Sequence, residues 1–325
     1  KEAGELLASE TDSLTGAPIF SLYGSTNKPT PVMLQGIDIL IFDMQDVGTR
    51  FYTYISTMLL AMEAAAEADI PFLVLDRPNP IGGEVVEGPV LQAEHQSFVG
   101  IRPLPLRHAM TIGELAGLFN GQGWLKNGIK ARLAVVKMKG WRRSMLFDET
   151  GLPWIKPSPN MTNLQAALLY PGTGLVEATN MSEGRGTEAP FELIGAPWLT
   201  AENIAESLNR QQADVRCQVE SFTPVNLPNI ATRPKHQDQR CQGLRFHILR
   251  PKKLQAVRFG LQLLAAVRQA HPDSLQFRDA GLNRLSGDSR VVEHLRAGQS
   301  ADEIIRLTEP ALSTFKKIRR AYLLY

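Results

Sequence analysis

Ile37-Asp-Ile-Leu-Ile-Phe42-Asp43 and Pro71-Phe-Leu-Val-Leu75-Asp76 are the two segments that decide the fold. Each is a short apolar run ending in an aspartate, the pattern of a buried strand that stops where the chain turns polar. Arg50 to Ala68, rich in Met, Leu and Ala, lies between them and reads as a helix. Strand, helix and strand at this spacing predict a right-handed parallel unit. Asp43 and Asp76 then fall at the carboxyl ends of neighbouring strands, where open α/β sheets place ligands.

Working outward, Arg77 to Gly83 is an ordered loop fixed by Pro78 and Pro80. Thr111-Ile-Gly-Glu114 is a capping box that opens a helix to about Asn120, and Thr162-Asn-Leu-Gln165 reads as a second box. Arg132 to Met138 alternates as a strand, and Gly151 to Pro159 is loop. The first half therefore predicts one layered α/β domain. The second half differs. Thr200 caps a helix to about Gln211, and Arg216 to Thr223 and Gly243 to Leu249 alternate as half-exposed strands. Pro251 suits the first turn of a helix running to about Ala270. Ser300-Ala-Asp-Glu303 caps another, and Pro310 is expected to open the last. The expectation is an α/β amino domain over residues 1–165 and a smaller α+β carboxyl domain over 166–325.

With 325 residues the chain is long enough for two domains, and its formal charge of +2 leaves no nucleic-acid footprint. Lys316-Lys317-Ile-Arg319-Arg320 is the densest basic cluster and reads as the solvated face of a terminal helix. No apolar run is long enough to span a bilayer. No export signal is present, and Lys1 to Ser9 reads as helix, as if something upstream had been removed. Cys217 and Cys241 are expected to be buried free thiols. The sequence sets no oligomeric state.

Three polar constellations could carry chemistry. Asp43, Gln45, Asp46, Arg50 and Tyr54 crowd one strand-to-helix turn and offer partners for a polyhydroxylated or anionic ligand; local capping by Asp46 and pairing with Arg50 is the competing reading. Asn79 and Glu87 lie in a rigid Pro- and Gly-rich stretch, where burial would raise the Glu87 carboxyl toward the range of a general acid; a salt bridge to a nearby arginine is the alternative. Asn180-Met-Ser-Glu183-Gly-Arg185-Gly-Thr-Glu188 continues to Glu192. Its glycines allow sharp turns, and Arg185 suits a ligand carboxylate, against the plainer reading of an internal Arg–Glu network. Gly172-Thr-Gly174 lacks the third glycine of a dinucleotide fingerprint. There is no P-loop, no zinc-helix motif and no nucleophile elbow. His95, His108 and His236 read as ordinary surface residues of loops.

Together these segments resemble the exo-β-N-acetylmuramidase family. The matching stretches are Ser21 to Gly24, Phe42 to Gly48 with Arg50 to Tyr54, Asp76 to Pro80, Gly82-Gly83, Val86 to Pro89, Pro157 to Met161, Tyr170 to Gly172, Asn180 to Phe191, Gly195 to Trp198 and Ala321 to Tyr325. The resemblance implies a Rossmann-like amino domain, a smaller carboxyl domain and an active cleft where they meet. It implies exo-cleavage of a β-1,4-linked N-acetylmuramic acid from the non-reducing end of peptidoglycan fragments. The partner would be a muramyl disaccharide or wall fragment, with no cofactor and no metal. Action would be periplasmic or extracellular, or on recycled wall fragments. Relatives also carry an earlier strand-helix segment and a Ser-Pro-Glu-His-Gly-like motif, which this chain lacks. The glutamate of that motif is a plausible catalytic group. Glu177, in Glu177-Ala-Thr179, belongs to a milder departure, since relatives more often have glycine at the middle position.

The expected chemistry is glycoside hydrolysis by two carboxyl groups. Glu87 is the first candidate, and its partner is the upstream glutamate or Glu183. Arg185 or Arg50 would hold the lactyl carboxylate, while Asn79, Gln45 and Asn180 bind hydroxyl or acetamido groups, with Asp43, Asp46, Tyr54 and Glu188 lining the site. Two rivals remain at this level. One is a metal-dependent phosphohydrolase using Asp43, Asp46 and Asp76; the other is a non-catalytic binder of muramyl sugar.

Overall fold

The computed structural model describes residues 9–325. The helix expected over Lys1 to Ser9 thus lies, but for its last residue, outside the described residues. A short hairpin, β1 (Glu10–Thr11) and β2 (Pro18–Ile19), leads in. Then come β3 (Leu40–Phe42), α1 (Tyr54–Glu67) and β4 (Phe72–Leu75), followed by a hairpin of β5 (Glu87–Val90) and β6 (Pro105–Arg107). Next are α2 (Ile112–Gly121), β7 (Leu133–Val136), α3 (Leu164–Thr173), β8 (Leu193–Ala196), α4 (Ala201–Gln211), β9 (Val215–Phe222) and β10 (Cys241–Ile248). The chain closes with α5 (Ala256–Ala270), α6 (Asp279–Ser286), α7 (Ser289–Arg296) and α8 (Ala301–Arg319).

β3, β4 and β7 form a parallel sheet in that order, and β8, β10 and β9 an antiparallel one. The α/β expectation for the first half is met by the parallel sheet. Phe42, Phe72 and Val74 face a core built with Ile55, Met58, Leu59 and Met62 of α1 and Leu115, Leu118 and Phe119 of α2. The opposite sheet face carries exposed Ile39, Ile41 and Val136. A second core gathers Leu168 and Leu169 of α3, Ile194 of β8, Leu244 and Phe246 of β10 and Phe259 and Leu263 of α5. α8 returns to the first core through Leu312 and Phe315. Cys217 and Cys241 are buried free thiols on β9 and β10, and burial pushes them up to about 12 and about 11.

Local capping follows the sequence in part. Thr111 with Glu114 and Ser300 with Glu303 form complete capping boxes. The Thr162 box does not form. Asn163 is the cap, its side chain accepting from Ala166 N, while Gln165 reaches Glu192. Pro310 opens no new helix; it sits inside α8, which buried Ile304, Thr308, Leu312 and Phe315 hold as one piece. The basic cluster is not wholly solvated, because Arg319 is buried and donates to Gly83 O and Ala109 O.

Two junctions set how the halves pack. α3 and α5 cross at Gly172 and Gly260, where a Cβ on Gly172 would stand 1.9 Å from Ala256 O. No side chain can be fitted there without separating the helices. The other junction is Glu87, which pairs with Arg107 across the hairpin at 3.4 Å. The backbone N–H groups of Ala256 and Arg258 in the first turn of α5 also lower its carboxyl pKa. Burial raises the Glu87 carboxyl above the usual glutamate range, with Arg107 opposing.

Gly172→Ala is expected to cost about 3 kcal/mol or more in denaturant unfolding. Gly117→Ala, on α2 with open space around it, should gain about 0.5 to 1 kcal/mol. Equal effects at the two sites would contradict the tight crossing. The second expectation concerns pH. Folding raises the Glu87 carboxyl, so the folded chain keeps a proton that the unfolded chain has lost, and this residue's contribution falls as pH rises. Glu87→Gln, which mimics the protonated form, should therefore gain on the wild type as pH rises above about 4.5 in urea titrations. A flat or opposite trend would contradict it.

Candidate active site

The loops that follow β3 and β4 lie side by side, as parallel register requires. Asp43 pairs with Arg77 at 2.6 Å on the surface. Gln45 Nε2 donates to Asp46 O at 2.7 Å and Pro78 O at 2.8 Å. Asn79 is buried; its Nδ2 donates to Met110 O and its Oδ1 accepts from Ile81 N. The first two sequence clusters therefore do meet. Their amides, however, stitch the loops together, so Asn79 is not placed to bind a sugar.

Asp46 is among the groups of this packed region that keep an unpaired polar atom, as are Thr49 at Oγ1 and Tyr52 at OH. It is 4% exposed, and its Oδ2 accepts from Gly48 N at 2.7 Å. Its Oδ1 is buried with no hydrogen-bond partner. Such an atom is costly to bury, and its lone pairs are free to accept a further hydrogen bond. An aromatic series continues from there. Tyr52 and Tyr54 ring centroids are 4.9 Å apart, and Tyr170 lies 6.4 Å from Tyr52, 4.9 Å from Phe51 and 4.6 Å from Phe191. Tyr54 OH donates to Pro157 O. The Tyr52 and Tyr170 phenols are both shifted upward, chiefly by burial, and the Asp46 charge adds to the shift in each.

The third cluster joins this series from the carboxyl side. Gly184 (φ 81°) and Gly186 (φ 79°) flank Arg185 in left-handed conformations, and a Cβ on either would strike backbone oxygens at 2.5 to 2.6 Å. The turn so formed places the Arg185 guanidinium over the Phe191 ring at 5.2 Å. Arg185 also pairs with Glu177 at 2.6 Å and Glu183 at 3.3 Å. Burial pulls Arg185 down, but Glu177 and Glu183 outweigh it and the net shift is upward. Lys235 Nζ stands 3.0 Å from Glu183 Oε2 without hydrogen-bond alignment, and donates to the carbonyls of Val176, Glu177 and Met181. Glu183, buried between two cations, and Asp46 both act electrostatically on Tyr170. An open groove lined by Val99, Glu177, Ala178, Arg278 and Leu285 runs beside this network.

Several expectations need correction. Arg50 is fully buried, and its guanidinium donates to Pro89 O, Leu104 O and Leu285 O, so it cannot reach a ligand carboxylate. Glu87 faces Arg107 and the start of α5, while Arg185 faces Glu177 and Glu183; the two do not share a pair. Asn180 is committed to Ser274 O and Gln276 N, and Glu188 is exposed. Asp43, Asp46 and Asp76 engage separate partners. Asp76 accepts from Thr111, Gly113 and Tyr325, and the described residues contain no metal-holding group of His, Cys, Asp or Glu. Among the histidines, His108 is fully buried and His236 bonds Asn180 O. Reading the sequence missed Lys235 and the pairing role of Glu177; Lys235 lies in a long loop with no local pattern to announce it.

Comparison with known proteins bears on this geometry. Two family models match, described as exo-beta-N-acetylmuramidase NamZ, N-terminal, over residues 1–165, and NamZ, C-terminal, over residues 168–325. The chain is 48% identical over 326 residues to the peptidoglycan beta-N-acetylmuramidase NamZ of Bacillus subtilis (strain 168), covering 100% of this chain and 76% of that protein. Two crystal structures of DUF1343 family proteins from Bacteroides fragilis NCTC 9343 superpose with TM-scores of 0.90 and 0.80. Each is 36% identical and covers 97% of this chain and 82% of its own. The matches span both halves and all three polar clusters, and the chain belongs to the exo-beta-N-acetylmuramidase NamZ family.

Proposed function

We propose that this chain is an exo-acting glycoside hydrolase that releases a β-1,4-linked N-acetylmuramic acid from the non-reducing end of peptidoglycan fragments, outside the cytoplasmic membrane. The full-length identity to a peptidoglycan beta-N-acetylmuramidase supports the substrate class most strongly. The site is consistent with it. Sugars combine apolar ring faces with many hydroxyls, and aromatic rings beside an unpartnered carboxylate oxygen match both. Tyr52, Tyr54 and Tyr170 supply the rings, and Asp46 Oδ1 supplies the acceptor. Arg185 and Lys235 supply the positive field that the lactyl carboxylate of muramic acid requires.

Glu183 is one carboxyl of the pair that glycoside hydrolysis uses. It lies in the charged end of the aromatic series, and Lys235 leaves its Oε2 without an aligned hydrogen bond. Glu87 is assigned to the hairpin junction with α5, where its contacts are.

Release of N-acetylmuramic acid from a muramyl disaccharide, followed by chromatography, tests the reading. Glu183→Gln should lower kcat about 10²- to 10⁴-fold, with Glu87→Gln within about threefold of wild type. Undiminished turnover by Glu183→Gln removes its role; collapse of Glu87→Gln at unchanged stability would move the chemistry to the hairpin. Turnover should survive chelation, because Asp43 and Asp76 are engaged elsewhere and no three His, Cys, Asp or Glu side chains converge among the described residues.

A further inference from the structure

His108 follows β6 and is fully buried. Its place beside Asp46 follows from backbone register. Thr49 bridges Arg107 in antiparallel fashion, and Arg50 N donates to Leu106 O, so the segment carrying Asp46 runs against the end of β6. The ring has two distinct edges. Nδ1 accepts from Met110 N at 3.2 Å, which leaves Nε2 to carry the proton. Nε2 has no hydrogen-bond partner within ordinary distance and lies 3.5 Å from Asp46 Oδ2. The same Oδ2 is held by Gly48 N, and the far oxygen, Oδ1, is buried and open.

We propose that His108 is a positioning residue. It steadies the Asp46 carboxylate from behind through the 3.5 Å approach of Nε2–H to Oδ2, which falls short of an aligned hydrogen bond, so that Oδ1 points at the bound saccharide and accepts from a hydroxyl or amide N–H. The juxtaposition of an orphaned imidazole N–H and a carboxylate with one anchored and one free oxygen carries this assignment. It rests on the saccharide reading of the site. A carboxylate fixed on one oxygen keeps its other lone pairs in a defined direction, and misplacement of a polar contact by an ångström is enough to slow an enzyme about 10²-fold.

The test uses the intact chain and two readouts. In the first, imidazole ¹⁵N spectra should show His108 as the Nε2–H tautomer, with its signals moved by Asp46→Asn. An Nδ1–H tautomer, or signals that ignore Asp46→Asn, would overturn the proposal whether or not the chain is active. In the second, turnover of a muramyl disaccharide should fall about tenfold or more in His108→Phe and recover in His108→Gln, whose amide restores a donor near the Nε2 position. His108→Phe should add nothing in an Asp46→Asn background. A loss that adds to Asp46→Asn, or that His108→Gln does not relieve, marks His108 as structural only and overturns the assignment. A wild-type chain that turns over no muramyl disaccharide would instead defeat the saccharide reading, and the spectra alone would then decide the pairing.

Discussion

A guanidinium with no access to water organises the centre of this molecule. Arg50 spends its hydrogen bonds on the carbonyls of Pro89, Leu104 and Leu285, and so fastens three remote stretches of chain to one point. Burial pulls its pKa down to about 9, the mark of a cation far from solvent. Leaving such a group without its acceptors would cost on the order of several kcal/mol, so the contacts reinforce one another. Everything from Asp46 to Tyr54 is positioned by this anchor. Asp46 stands four residues before it, Tyr52 two residues after, and β6 lies alongside through Leu106 and Thr49.

The site follows from that anchorage. One side is the Asp46 to Tyr54 segment; the other is the glycine-flanked turn that carries Arg185 over Phe191. Tyr170, from the α3 helix, bridges them by packing on both Phe51 and Phe191. Its phenol feels Glu177, Glu183 and Asp46 together, which is how carboxylates from separate loops share one environment. The tight crossing at Gly172 and Gly260 sets where α3, and with it Tyr170, can stand. Packing in the core thus fixes the distance between the two polar walls.

Much of this was legible in the residues. The apolar runs before Asp43 and Asp76 became parallel strands because period and length leave them no other buried form. Thr111 and Ser300 announced their helices because the capping box is a local, reciprocal pair. Gly184 and Gly186 announced a turn because only glycine adopts that backbone without strain. What failed was the assignment of ligand-binding roles to side chains whose partners lie far away in sequence. Arg50 and Asn79 looked like ligand-binding side chains, but their acceptors are backbone carbonyls from other segments. Glu87 was expected to be part-buried with a raised carboxyl, and it is; its neighbours, Arg107 and α5, give that burial a structural meaning. β8 went unseen because its four buried residues, Leu193 to Ala196, carry no alternation. His108 was placed on the surface, since nothing local reveals that β6 carries it inside.

The central claim is that the terminal sugar is received between Asp46 and Glu183. A crystal structure of the chain soaked with N-acetylmuramic acid tests it most directly. The account predicts a pyranose ring against Tyr52 and Tyr54, a donor within hydrogen-bond distance of Asp46 Oδ1, and the lactyl carboxylate on the Arg185 and Lys235 side. A sugar seated beside Glu87 and Arg107, with the Asp46 oxygen still unpartnered, would contradict it.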